Sequence, residues 1–355
     1  MKISGNKGEW SELYALIDLL YTGKLYAADE NADRISDIYF PILRILRQKD
    51  ADSQIDYILR DNDVDVLMNG AKVSSLSKSY LKKIKSIIFN GITSGAERSF
   101  EIQGAPEAMD EMHIDKIKAS STDKADIILQ IHDIHTGYEP ICGFSIKSEL
   151  GNAPTLLNAS GATNFIYEIK GVTDKDMDRI NAIDTRNKIL DRMAEISKIG
   201  SMNFVRTANS TFAANLMLID SYMDDIIAVM LLDYYQDKAS TCRDLVALLE
   251  EKNPLGYPRK GFYEYKMKKF LCSVALGMMP SKEWDGQDEA NGGYVIVKED
   301  GDVLAYHIYN RGAFETYLLN NTKLERGSTS RHGFASIFKD NEKFYINLNL
   351  QIRFV

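Results

Sequence analysis

The sequence predicts an α/β protein, a mixed central sheet flanked by helices, with a helical N-terminal region and a β-rich C-terminal region. Three observations carry this. Residues 8–21, GEWSELYALIDLLY, place Trp10, Leu13, Ile17 and Leu20 at helical spacing. From position 113 the texture changes to short β-patterned runs. The last sixty residues, after two long helical stretches, alternate again with the period of two that strands need.

The elements follow in order. Helical patterns continue for some thirty residues beyond Tyr21, so the first hundred residues read as largely helical. The β runs are His113–Ala119, Ala125–His132, Pro140–Ser148 and Asn164–Ile169. Residues 174–200 and 209–237 return to long helices. The second contains SYMDDIIAVMLLDYY, and its stripe Met217, Ile219, Met223, Ile227 and Met230 reads as core packing. YVIVKEDGDVLAYHIY has two arms around Glu299-Asp300-Gly301-Asp302, a hairpin signature, and YINLNLQIRF reads as a final strand. No repeat, low-complexity tract or Pro/Gly linker divides the chain. The expected organisation is a helical region over 1–112, a core over 113–215 and a helical, then β-rich region over 216–355.

At 355 residues and 45% hydrophobic, the chain can bury a large core. It has no run of about 18 apolar residues, and its N-terminus lacks the apolar centre of a secretory signal, so a cytoplasmic protein is expected, away from membranes. Cys142, Cys242 and Cys272 are odd in number and set among apolar neighbours, which suits reduced core thiols. His132 and His135 have the spacing of a zinc pair, but a turn separates them and no cysteine pair is near, so turn histidines are expected. No GxxxxGK[ST] occurs, which argues against a nucleotide cofactor.

The formal net charge of −8 argues weakly against nucleic acid, whose phosphates need neutralising, yet the charge is unevenly spread. YPRKGFYEYKMKKF, 257–270, carries Arg259, Lys260, Lys266, Lys268 and Lys269 against Glu264. Residues 311–355 are net +3, with seven basic and four acidic side chains. A basic surface on an acidic protein is compatible with this pattern.

The informative stretch is 124–148, KADIILQIHDIHTGYEPICGFSIKS, two strands joined by a turn near Gly137. Pairing about that glycine sets opposite one another residues whose numbers sum to about 273. Asp126 then lies across from Lys147 and one pleat step from Ser145, all on one face. Phosphodiester hydrolysis needs such a set. A carboxylate holds Mg²⁺, a nearby ammonium orients or deprotonates the attacking water, and the carbonyl of Ile146 supplies a further oxygen ligand. On its own, an acid opposite a lysine on paired strands is more often a cross-strand ion pair.

The Asp-then-xK hairpin resembles the PD-(D/E)xK nuclease core, here Asp126 followed by Ser145-Ile146-Lys147. Ala125 replaces the proline, and Ser145 stands where a second acid is usual. Glu12, in the first helix, and Glu149, two residues past Lys147, are the candidates to complete the metal site. Glu12 is preferred because Gly151 and Pro154 end the strand. KGEWSELYALIDLLYTGKLYAADE, GFSIKSELGNAPTLLNASGATNFIYEI, TKLERGSTSRHGF and INLNLQIRF together resemble the HpaII family of Type II restriction endonucleases across nearly the whole chain. The resemblance implies Mg²⁺-dependent cleavage of DNA at a short palindrome, with CCGG as one candidate; cutting both strands of a palindrome needs two active sites, so symmetry predicts a homodimer on DNA. In ERGSTSRHGF, Arg326, Ser328, Ser330 and Arg331 have the chemistry for bases and phosphates, and Asn158 and Ser160 follow the catalytic strand. The rival readings are a structure-specific repair nuclease and a DNA-binding protein that has lost its chemistry.

Overall fold

The computed structural model describes residues 3–50, 52–118, 125–134, 136–307 and 310–355. Helix α1 (Lys7–Thr22) leads into strands β1 (Lys24–Ala28), β2 (Arg34–Gln48), β3 (Gln54–Leu59), β4 (Asp63–Met68) and β5 (Ala71–Ser77). Helices α2 (Lys78–Ser94) and α3 (Ala105–Glu111) precede the hairpin β6 (Ile127–Ile131) and β7 (Ile141–Ser148). Then come β8 (Thr155–Leu157), β9 (Asn164–Lys170), α4 (Asp174–Asn181), α5 (Lys188–Ile199) and β10 (Ser201–Thr207). Helices α6 (Ser210–Ile219), α7 (Met223–Tyr235), α8 (Cys242–Lys252) and α9 (Phe262–Leu276) follow. The chain ends through β11 (Gly293–Val297), β12 (Val303–His307), α10 (Arg311–Asn320), β13 (Thr322–Leu324), α11 (Thr329–His332), β14 (Ile337–Asp340), β15 (Lys343–Asn349) and β16 (Ile352–Phe354).

Two compact units result, Met1–Pro154 with Asp288–Tyr317, and Thr155–Gln287 with Leu318–Val355. The expected division at 112 and 215 cuts across both. Its physical cause is the parallel pairing of β11 with β7, which draws 288–317 back beside residues far earlier in the chain.

The first unit is a mixed sheet of nine strands, as expected in kind. It closes on itself, because β1 pairs with β2 as well as β12, so β1, β12, β11, β7, β6 and β2 form a six-stranded ring. Strands β3, β4 and β5 extend it from β2. Helix α1 packs on this sheet, burying Trp10, Leu13, Leu16, Ile17 and Leu20. A capping box starts it: the Asn6 side chain accepts from the Glu9 N–H at 3.0 Å and the Glu9 carboxylate from the Asn6 N–H at 2.9 Å, worth about 1 kcal/mol.

The largely helical reading of the first hundred residues is therefore corrected, since β1–β5 occupy most of 24–77. QIDYIL and DVDVLM bury Ile55, Tyr57, Val64 and Val66 at every second position. In β2 the crowded apolar residues fit either period, and sheet pairing decides. The strand expected over His113–Ala119 is also absent among the described residues, which end there at 118. His113 has φ 59° and Ile114 and Ile117 are both buried, a spacing of three that a strand would split between its faces.

In the second unit β10, β9, β15 and β14 form one sheet and β13, β16 and β8 another. The single final strand is thus two. At Leu350 and Gln351 the chain leaves one sheet for the other, the Leu350 N–H donating to Thr163 O and Gln351 O accepting from Glu325. Of the apolar stripe, Met223, Ile227 and Met230 are buried as expected, but Met217 is 72% exposed, because α6 ends at Ile219 and a turn through Tyr222 reorients the chain. The three cysteines are buried free thiols. Among the described residues no helix is long and apolar enough to cross a membrane.

Candidate active site and nucleic-acid interface

The hairpin β6–β7 turns through Asp133, whose N–H donates to Tyr138 O at 2.9 Å and whose carbonyl accepts from Gly137 at 2.8 Å. Its buried carboxylate also accepts from the Thr136 hydroxyl at 2.6 Å. This turn sets the register, pairing Ile127 with Phe144 and Gln130 with Ile141. The residue numbers sum to 271 rather than 273, so Asp126 lies beside Ser145 and Lys147 is one pleat step beyond. A shift of two preserves the face, so the grouping of 126, 145 and 147 survives while the direct pairing of Asp126 with Lys147 does not. His132 faces Glu139 at 3.2 Å, His135 lies outside the described residues, and the described residues hold no cluster of three side chains of metal-binding type.

Asp126 sits one residue before β6. Its N–H still donates to Phe144 O at 2.9 Å, but its carboxylate turns to the next position of β7 and replaces the ladder there. Asp126 Oδ2 accepts from the Ile146 N–H at 2.8 Å and from the Ser145 hydroxyl at 3.2 Å. Gly143 permits this approach: a Cβ there would stand 2.7 Å from that of Ala125. Ser145 is buried and acts on the acid as a hydrogen-bond donor rather than supplying a second carboxylate.

Glu12 comes to the same place from α1, which lies along β7, with Ser11 and Ser148 hydroxyls 2.8 Å apart. Its side chain is 16% exposed. Burial first, and then the negative charge of Asp126, push its carboxyl up to about 7, while Lys118, Lys147 and Arg47 pull it down. Two carboxylates and Lys147 thus share one electrostatic neighbourhood. Glu149 falls elsewhere. Its N–H donates to Val297 O, burial raises its carboxyl, and the charges acting on it are Lys298, Glu299 and Asp300.

Three neighbours escaped the sequence reading. Tyr294, opposite Ser145 on β11, is fully buried, and the charge of Asp126 is among the causes that raise its hydroxyl. Lys118 lies 4.0 Å from Glu12 Oε1. Arg47 donates to the carbonyls of Lys116 at 2.7 Å and Ile117 at 2.9 Å, fixing the stretch that carries Lys118. Nothing local marks these residues, because each reaches the site by pairing or packing between distant segments.

In the second unit the two segments expected at DNA meet. Leu157 pairs with Ile352 and Glu325 bonds to Gln351, so residues 158–160 and 325–331 emerge beside one another. At Gly327 a Cβ would lie 2.8 Å from the Cβ of Ala159 and 3.3 Å from His332. Arg331, Ser328, Ser330 and Asn158 are exposed, and Ser160 is half-buried. Arg326 lies over the Tyr234 ring and pairs with Asp237 at 3.5 Å. In 311–355, Arg331 and Lys323 are in no ion pair among the described residues, whereas Lys339, Lys343 and Arg353 each face an acid. The basic run 257–270 is partly neutralised, Lys266 by Asp220 and Lys268 by Glu264.

No solved structure matches the chain. The family model described as HpaII restriction endonuclease matches residues 6–354. The chain is 41% identical over 358 residues to the Type II restriction enzyme HpaII of Haemophilus parainfluenzae, a match that covers 99% of each. Both similarities run from the helix that carries Glu12 to the last strand, and the chain belongs to the HpaII restriction endonuclease family, as a Type II site-specific deoxyribonuclease.

Proposed function

We propose that the enzyme cuts both strands of duplex DNA at a short palindrome with Mg²⁺ as cofactor, and that Asp126, Glu12 and Lys147 carry the chemistry in a variant PD-(D/E)xK arrangement. The observation that carries this is the gathering of two carboxylates and an ammonium from three elements, with Glu12 held at about 7 by burial and by Asp126. Such crowding favours a cation between the acids. The donors fit magnesium, being oxygens without thiolate or imidazole, and too few to displace all its waters.

Asp126 and Glu12 would hold the ion. Ile146 would add its carbonyl, since a strand residue whose N–H points to Asp126 turns its C=O to the same edge, past the end of β6. When bound, the ion lowers the pKa of a water and offsets charge developing on the phosphate. Lys147 would orient the attacking water or take its proton, and Ser145 keeps Asp126 aimed by its hydrogen bond. Attack in line with the leaving oxygen inverts phosphorus.

Arg331 is assigned to base or phosphate contact, supported by its exposure and by the lack of an ion pair to it among the described residues. Ser328, Ser330, Asn158 and Ser160 are assigned to phosphates, and Arg326 to shaping the segment through Asp237 and Tyr234. Two cuts in a palindrome need two sites related by symmetry, hence a homodimer on DNA. CCGG is the first sequence to try.

Incubation of the protein with phage DNA and Mg²⁺, with EDTA as control, followed by sequencing of the product ends, tests this. Ends sharing one palindrome are expected. Ends without a common sequence, or cutting that persists in EDTA, would sink the proposal.

A further inference from the structure

The motif INLNL, 346–350, takes no part in the chemistry above, yet its asparagines are unusually placed. Asn349 and Asn164 are cross-strand partners on β15 and β9, 1% and 4% exposed. The Asn349 amide donates to Asn164 Oδ1 at 2.7 Å and to the Ser160 carbonyl at 2.7 Å. The Asn164 amide donates in turn to the His332 carbonyl at 2.8 Å, at the end of α11. Asn347, two residues along, donates to the carbonyl of Gly333 at 3.1 Å, and its own carbonyl accepts from Ala335. One continuous chain of amides therefore runs from the 158–160 loop through the sheet to the segment 325–334.

We propose that Asn349 and Asn164, seconded by Asn347, are positioning residues for sequence recognition, a buried amide clamp that holds the two DNA-contacting segments as one surface. This rests on the assignment of those segments to DNA. A clamp of this kind has a physical logic. Loops held only by their own turns would order on binding, and that entropy would be lost from affinity. Asn349 Oδ1 and Asn347 Oδ1 have no partner among the described residues, so the donors carry the link, and a buried amide donor that loses its acceptor is costly, which ties the movement of one loop to that of the other. The contact at Gly327, where any side chain would strike Ala159, keeps the segments in register. A purely structural amide pair would support both segments without favouring one DNA sequence over another.

The test compares N349A, N164A and N347A with R331A and the wild type. Each is titrated, with Ca²⁺ replacing Mg²⁺, against a duplex carrying the sequence that the wild type cuts and against a scrambled duplex. Clamp variants are expected to lose about tenfold or more in preference for the cut sequence, with scrambled binding nearly unchanged. Equal weakening on both duplexes, or an unchanged preference in variants that remain folded by thermal melting, would overturn the clamp. N347A, altered at the less buried asparagine, decides the matter if the other two fail to fold. R331A reports on the underlying assignment separately. Loss in R331A with an intact preference in the asparagine variants refutes the clamp alone. Loss in the asparagine variants with an unaffected R331A supports the clamp and moves the base contact away from Arg331.

Discussion

The two units place polar groups in opposite ways. Around Asn164 and Asn349 the buried amide donors find partners, Asn349 reaching two acceptors at 2.7 Å and Asn164 passing the chain on to His332, although Asn349 Oδ1 has none among the described residues. Around Glu12 and Asp126 the first unit keeps two acids near each other with too little solvent to screen them, and Glu12 rises to about 7 as a result. Buried donors held by fixed acceptors favour one geometry. A crowded pair of carboxylates is strained until something positive arrives, which is what a site for a cation and a phosphodiester requires. The difference is physical: a chain of buried amide donors favours one arrangement of the loops it joins, whereas crowded carboxylates create a demand for positive charge.

That contrast breaks first at Lys147 and Asp126. K147A and D126N are expected to lower cleavage about 10³-fold or more while DNA binding in Ca²⁺ is kept by K147A, as measured by gel kinetics and anisotropy. Cleavage within tenfold of wild type for either would remove the site from where it has been placed. E12Q sharpens the comparison by separating function from stability. It is expected to cut about 10²-fold more slowly, yet to be more stable to unfolding than the wild type in metal-free buffer at pH 8, by about 1–3 kcal/mol. The sign follows from the raised carboxyl. Between the usual value of 4.5 and about 7, the unfolded chain ionises Glu12 before the folded one does. Folding is therefore disfavoured as pH climbs through that window, and the gain of E12Q grows from pH 5 to pH 8 and then levels. A constant difference across pH would mean that Glu12 is not strained. The smallest effect is expected at Lys118, whose positive charge lowers the Glu12 carboxyl. K118A should move the acidic limb of the pH–rate profile upward by a fraction of a unit, and a shift to lower pH would place Lys118 outside the site.

The sequence by itself determined the hairpin and the residue types it brings together. Thr136-Gly137 lies between two apolar runs, and period two puts Ser145 and Lys147 on one face, with Asp126 joining them for any register that differs from the expected one by an even number of residues. It also determined α1, where Trp10, Leu13, Ile17 and Leu20 repeat at 3.6 and carry Glu12 with them. Tertiary structure decided the rest. The register depended on which residue tightened the turn, and Asp133 did so. Crowded apolar residues in β2 suit either period, so the N-terminal strands were settled by pairing with β1, β3 and β6. The arrival of Tyr294 beside Ser145, and of Arg47 and Lys118 near Glu12, came from interactions between segments far apart in the chain, as did the meeting of 158–160 with 325–331. Periodicity encodes which way a side chain points, whereas long-range pairing depends on the packing of the whole chain, and no local pattern records it.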